Sequence, residues 1–112
     1  MVGTKLDISA IGLRAGICLI EVDGTRVGMI QLFDKDDSVE VKEIQVHPAH
    51  QGRGIGTSVL CDVVARAHAR RKKVFLSTGI QNRRAVKLYR RLGFVHVAQN
   101  ETHFCMEFDP EA

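Results

Sequence analysis

Residues 51–56 read Gln51, Gly52, Arg53, Gly54, Ile55, Gly56, a run that follows an extended segment ending at Val46 and opens into a helical pattern at Thr57. Glycines at alternate positions let the backbone approach an anion closely. The amides of a first helical turn have no intrahelical acceptor, so they project outward as donors. A diphosphate suits such a turn. The two commonest phosphate loops do not fit, because no Lys-Ser or Lys-Thr pair follows the last glycine and no acidic residue ends a second strand about 20 residues further on. Nucleotide hydrolysis and dinucleotide binding are disfavoured. A plain glycine-rich helix entry is the competing reading, so a second motif has to support the cradle.

Other reactive side chains offer less. Cys18, Cys61 and Cys105 are odd in number and widely spaced, which suits neither a disulfide framework nor a zinc knuckle. Neither Cys61 nor Cys105 has a histidine at a base-like spacing, so a thiol nucleophile is not favoured. His47 and His50 lie close together but lack a third ligand, so no metal is expected. The net charge is +3, with Arg66, Arg70, Arg71, Lys72 and Lys73 in one cluster and Arg83, Arg84, Lys87, Arg90 and Arg91 in another. These are either solvated helix faces or a field for a polyanion, whether cofactor or nucleic acid. One Tyr and five Phe make a poor stacking platform for single strands.

The elements that must hold these groups follow from periodicity. Ile17–Val22 and residues 26–33 flank the turn Asp23-Gly24 as an antiparallel hairpin. Ser38–Val46 alternates as a third strand, which Pro48 ends. Residues 57–71 place Val59, Val63 and Ala67 on one helical stripe, with Leu60 and Val64 beside it. Residues 74–78 form a short strand, parallel to the third by the crossover rule. Asn82 caps a second helix of about three turns marked by Ala85, Leu88 and Leu92, and Gly93 sits where a left-handed residue is wanted. Residues 94–98 and His103–Phe108 close the chain as a hairpin.

A length of 112 residues allows one domain, 1–112, and its 45% hydrophobic and 26% charged composition is that of a soluble globular protein. No stretch approaches 18 apolar residues, so no membrane span is expected. Residues 1–10 lack the apolar segment and cleavage site of a leader, and cytoplasmic residence is the expectation.

Two separated motifs resemble the GNAT superfamily of acyl-CoA-dependent N-acyltransferases. The family's pyrophosphate motif appears as Gln51, Gly54 and Gly56 preceded by Val46-His47-Pro48, and a second motif looks like Asn82 to Phe94 with Tyr89 inside it. The likeness spans roughly residues 17–108. It implies an α+β fold in which a mostly antiparallel sheet contains a central parallel strand pair that splays apart after a bulge, with two main helices. It further implies acetyl-CoA as cosubstrate, held by backbone groups of Ile44, Gln45 and Val46, by Gln51, Gly52, Arg53, Gly54, Ile55, Gly56 and Thr57 at the pyrophosphate, and by the Asn82 side chain.

The same likeness gives Tyr89 the role of donating a proton to the departing thiolate, against the plain reading of a packed core tyrosine. An amine acceptor must lose a proton before it attacks, since an alkylammonium has a pKa of about 10. Glu40 occupies the position where several members carry a catalytic Glu or His, and Glu43 is the second candidate. Strict alternation puts the two on opposite faces unless a bulge intervenes, so only one should face the acceptor. Both could equally be solvent-facing strand carboxylates. Ser77 stands where other members place the base and is a poor one.

A typical member carries a first strand and two helices before the hairpin, whereas residues 1–16 have room for one strand at most. The acceptor site is then either open to a small-molecule or peptide amine or completed by another subunit, and a homodimer is expected because apolar sheet surface would be uncovered. The likeness implies direct transfer of acetyl from acetyl-CoA to a primary amine. The rival readings are a non-catalytic acyl-CoA-binding module and, further behind, a small nucleic-acid-binding domain.

Overall fold

The computed structural model describes residues 6–10, as backbone, and 16–110. They form seven strands and two α-helices: β1 (Leu6–Ala10), β2 (Ile17–Val22), β3 (Thr25–Asp34), β4 (Ser38–Val46), α1 (Ile55–Ala69), β5 (Lys73–Gly79), α2 (Arg83–Arg91), β6 (Val95–Gln99) and β7 (His103–Phe108). A single sheet runs in the order β1-β2-β3-β4-β5-β7-β6, and every neighbouring pair is antiparallel except β4 with β5. The expected mixed sheet with a central parallel pair is therefore present.

The turn between β2 and β3 needs two left-handed residues, and Asp23 (φ 51°) and Gly24 (φ 80°) supply them. β4 and β5 are joined by α1, as a parallel pair requires. α1 lays Val59, Leu60, Val63 and Ala67 on Val39 and Val41 of β4 and on Val74 and Leu76 of β5, all buried. Ile20, Val27, Ile30, Val86, Phe94 and Met106 complete this core. Leu92, at the end of α2, meets Leu60, Cys61 and Val64 of α1 and Phe108 of β7 around one groove, so both helices lie on the same side of the sheet. Among the described residues, neither helix covers the other side. There Met29 and Phe33 of β3 and Phe75 of β5 stay half-buried.

The corner between β3 and β4 is tied to the far end of α1. Lys72, only 9% exposed, sends its ammonium to Asp34 at 2.6 Å and to the Lys35 carbonyl, and Arg70 reaches the same carboxylate at 2.8 Å. The first basic cluster is therefore partly consumed inside the molecule. Arg66 pairs with Asp62, and Lys73 lies 3.6 Å from Glu107.

α1 begins at Ile55 rather than Thr57 and ends at Ala69, because Gly54 adopts the left-handed conformation and lets the chain turn into the helix earlier. α2 is shorter than three turns, with nine residues. Asn82 caps it by accepting from the Ala85 amide at 3.2 Å, and Gly93 has φ 101° as its position requires.

Candidate active site

The parallel ladder between β4 and β5 starts at Ser38 and Lys73 and ends at Val41 and Leu76. On the other flank of β4, Leu32 pairs with Val41 but Gln31 pairs with Glu43, which leaves Lys42 as an inserted residue. An inserted residue bends and twists its strand. Past Lys42 the two strands separate. The gap is a cleft of about 260 Å³ whose lining includes Glu43, Ile44, Ser77, Asn82, Tyr89 and His103. From Lys42 onward, the edge of β4 toward β5 has no ladder partner, so a guest carrying amides can pair there as an added strand would.

The bulge also changes the phase of β4. Glu40 lies opposite Phe33 and Glu43 opposite Gln31, and these two β3 residues, two apart, share a face. Both carboxylates therefore stand on the uncovered side, which corrects the expectation that only one would. Their surroundings differ. Glu40 sits level with Phe75 in the paired part of the ladder, with Lys35 at 3.6 Å and Lys42 at 3.9 Å. Glu43 lines the cleft, and its carboxylate accepts from the Gln45 carboxamide at 2.7 Å.

At one end of the cleft, β4 gives way to a single 3-10 turn, Pro48–His50, capped by His47, whose Nδ1 accepts from the Ala49 amide at 3.2 Å. The Gln51 carboxamide donates to the Val46 carbonyl at 2.9 Å, which ties the glycine loop to the end of β4. Gly52 (φ 80°) and Gly54 (φ 75°) are left-handed. Gly54 caps α1 without a side-chain bond, and the first intrahelical bond runs from the Ser58 amide to the Gly54 carbonyl at 3.0 Å. The amides of Ile55, Gly56 and Thr57 thus have no intrahelical acceptor, and no acidic residue stands in the first turn to compete for them. Side-chain carbons added at positions 52, 54 or 56 would meet nothing within 4 Å, so the loop faces open space. Arg53, with His50, lines a separate hollow on the β2–β3 side.

Tyr89 projects from α2 into the cleft, with its ring 6.1 Å from that of Phe94. Burial pushes its phenol above the ordinary value, so it carries its proton throughout the neutral range. Cys105 is also pushed up, first by burial and then by Glu40 and Glu107, which makes it a poor nucleophile. Among the described residues no cluster could hold a metal ion, and no helix is long and apolar enough to cross a membrane.

His103 was not singled out from the sequence. It opens β7 opposite Gly79, and only the long-range pairing of β7 with β5 brings it to the cleft. An isolated histidine has no spacing signal. The bulge did have one: the core-facing residues Val39 and Val41, then Ile44 and Val46, break the period of two by one residue at Lys42-Glu43.

Residues 5–94 match the model of the acetyltransferase (GNAT) family. The chain is 36% identical over 87 residues to an uncharacterised N-acetyltransferase of Methanocaldococcus jannaschii, covering 70% of this chain and 38% of that protein. It is 35% identical over 95 residues to the N-alpha-acetyltransferase RimI of Mycobacterium tuberculosis, covering 84% of this chain and 56% of that protein. The chain thus spans about half or less of the length of these relatives. A crystal structure of a GNAT family acetyltransferase from Elizabethkingia anophelis with acetyl-CoA bound superposes with a TM-score of 0.76 at 16% identity, covering 95% of this chain and 97% of that one. The splayed strands, the left-handed glycine loop and the matched model agree, and the chain belongs to the GNAT acetyltransferase family.

Proposed function

We propose that this protein transfers an acetyl group from acetyl-CoA to a primary amine by direct attack in a ternary complex. The observation that carries the reading is the cleft between β4 and β5, open beside a glycine cradle and lined by a protonated phenol. On this reading the free amides of Ile55, Gly56 and Thr57, with the Gln51, Gly52, Arg53 and Gly54 backbone, hold the pyrophosphate. The pantetheine arm pairs with Ile44, Gln45 and Val46, and the Asn82 carboxamide, whose oxygen caps α2, has its NH2 left to offer the arm.

The thioester then lies near Tyr89. Its phenol donates to the sulfur as the carbon–sulfur bond breaks and charge develops. On the uncovered side of the sheet the acceptor approaches as an ammonium. Glu43 is the carboxylate positioned to hold it, and Glu40, tied to Lys35 and Lys42, contributes negative field from one step further back. A peptide N-terminus, as the name of the Mycobacterium tuberculosis relative suggests, and a small amine both fit an open approach. A second copy laid over the uncovered sheet is the expected way to complete that side.

The test is thiol release from acetyl-CoA in the presence of a panel of peptides and small amines, with calorimetry of acetyl-CoA alone. Binding with acceptor-dependent thiol release is expected. Binding without release for any acceptor would support a non-catalytic acyl-CoA module instead. Native mass spectrometry reports a retained CoA species and the subunit count together, and a monomer would remove the dimer.

A further inference from the structure

His103 shares the cleft with Glu43 and Tyr89, yet nothing in the reading above employs it. Its environment is ordered in a specific way. Asn100 Oδ1 accepts from the backbone amides of Thr102 at 2.9 Å and His103 at 2.8 Å. A backbone amide can only donate, so that atom of the Asn100 carboxamide is the oxygen. The Thr102 hydroxyl lies 3.2 Å from the same oxygen and 2.8 Å from His103 Nδ1. A hydroxyl has a single hydrogen, so when it is given to Asn100, Thr102 Oγ1 accepts from His103 Nδ1. In that arrangement Nδ1 carries the hydrogen, and in the neutral ring Nε2 keeps its lone pair.

His103 pairs with Gly79, which has no side chain, and a carbon added there would meet nothing within 4 Å. The ionisable groups sharing the cleft are Lys42 and Glu43 of β4 and Tyr89 of α2. β5 contributes Leu76, Ser77, Thr78 and Gly79, none of them ionisable, and Cys105 stands two residues along β7.

We propose that His103 Nε2 takes the proton from the acceptor ammonium, while Glu43 holds that ammonium from the β4 side. The assignment rests on the acetyltransferase reading and supplies the base that reading lacks. A base works best when its proton affinity lies near the operating pH, which imidazole meets better than a carboxylate. In the step, one N–H bond of the ammonium breaks and its proton passes to Nε2. The freed nitrogen pair attacks the thioester carbonyl carbon. As the tetrahedral species collapses, the carbon–sulfur bond breaks and the thiolate receives the Tyr89 proton. The second proton on nitrogen restores the tyrosine through water, and the imidazolium releases its own to solvent.

The experiment uses the intact protein, acetyl-CoA, and a hexapeptide beginning with alanine, together with nitrogen-15 NMR of the histidine rings. His103→Gln should lower kcat about a hundredfold. It should leave KM for both substrates within about twofold and flatten the limb of the rate profile that rises with pH. Glu43→Gln should instead raise the acceptor KM about tenfold. Thr102→Val should lower kcat about fivefold by releasing the tautomer, and Thr102→Ser should restore it. The ring of His103 should carry its hydrogen on Nδ1. A kcat within twofold of wild type in His103→Gln, or a hydrogen on Nε2, overturns the assignment. Absence of heat with acetyl-CoA in the wild type instead removes the transfer reading, and the base with it.

Discussion

Val41 and Leu76 form the last rung of the parallel ladder, and the next residue of β4, Lys42, is the one without a partner on β3. The end of pairing on one flank and the bulge on the other coincide at a single step of the strand. That coincidence opens the cleft and places both Glu40 and Glu43 on its uncovered side.

Tyr89→Phe should lower kcat at least tenfold while the acetyl-CoA dissociation constant stays within about twofold, since only a proton donor is removed. Burial raises the Tyr89 phenol, so its acid form persists beyond the ordinary phenol range near pH 10. The wild-type rate should show no loss assignable to this group below that pH. Unchanged turnover in the variant would end its role.

Gly54→Ala forces a side chain into the left-handed region at φ 75°, with no steric neighbour to add to the cost. The strain is about 1–2 kcal/mol. Relaxing it shifts the first turn of α1, and acetyl-CoA affinity measured by calorimetry should fall about tenfold.

Gly28→Ala should be far worse for the fold. A carbon added at Gly28 would stand 2.0 Å from the Gln45 carbonyl oxygen, and backbone cannot retreat as a side-chain tip can. β3 and β4 would have to part just where β4 borders the cleft. A fall in Tm of more than about 10 °C is expected, or failure to accumulate as soluble protein.

Asp34 is held below its ordinary value by the Lys72 and Arg70 hydrogen bonds. A depressed carboxyl stabilises the fold above its unfolded value and loses that contribution as the pH falls toward the folded one. The stability gap between wild type and Asp34→Asn should be level above about pH 5 and shrink below about pH 4. Asp34 is half exposed at 52%, so the gap should be about 1 kcal/mol or less, read by urea unfolding across pH.

Much of this arrangement could be read from the residues. β2, β4 and β7 match the limits drawn from their alternation, because each is a run of β-branched or aromatic residues between Gly, Pro, Asp or Asn. The glycine loop before α1 and the Asn82 cap were likewise visible, since both are local and tied to a change of period. The start of α1 was misplaced by two residues because a glycine cap leaves no polar signature of the kind Ser or Asp leaves. The shared face of Glu40 and Glu43 departs from strict alternation because the bulge, named in the sequence only as an exception to that alternation, falls between them. His103 reaches the cleft only through the pairing of β7 with β5, a long-range contact that no window of sequence contains.

The bulge at Lys42 is written into the chain, so the gap between β4 and β5 exists before any guest arrives. No strand pairing has to be broken to admit one. Association with acetyl-CoA should therefore rise in direct proportion to its concentration, without a plateau set by slow opening, and progress curves should begin without a lag.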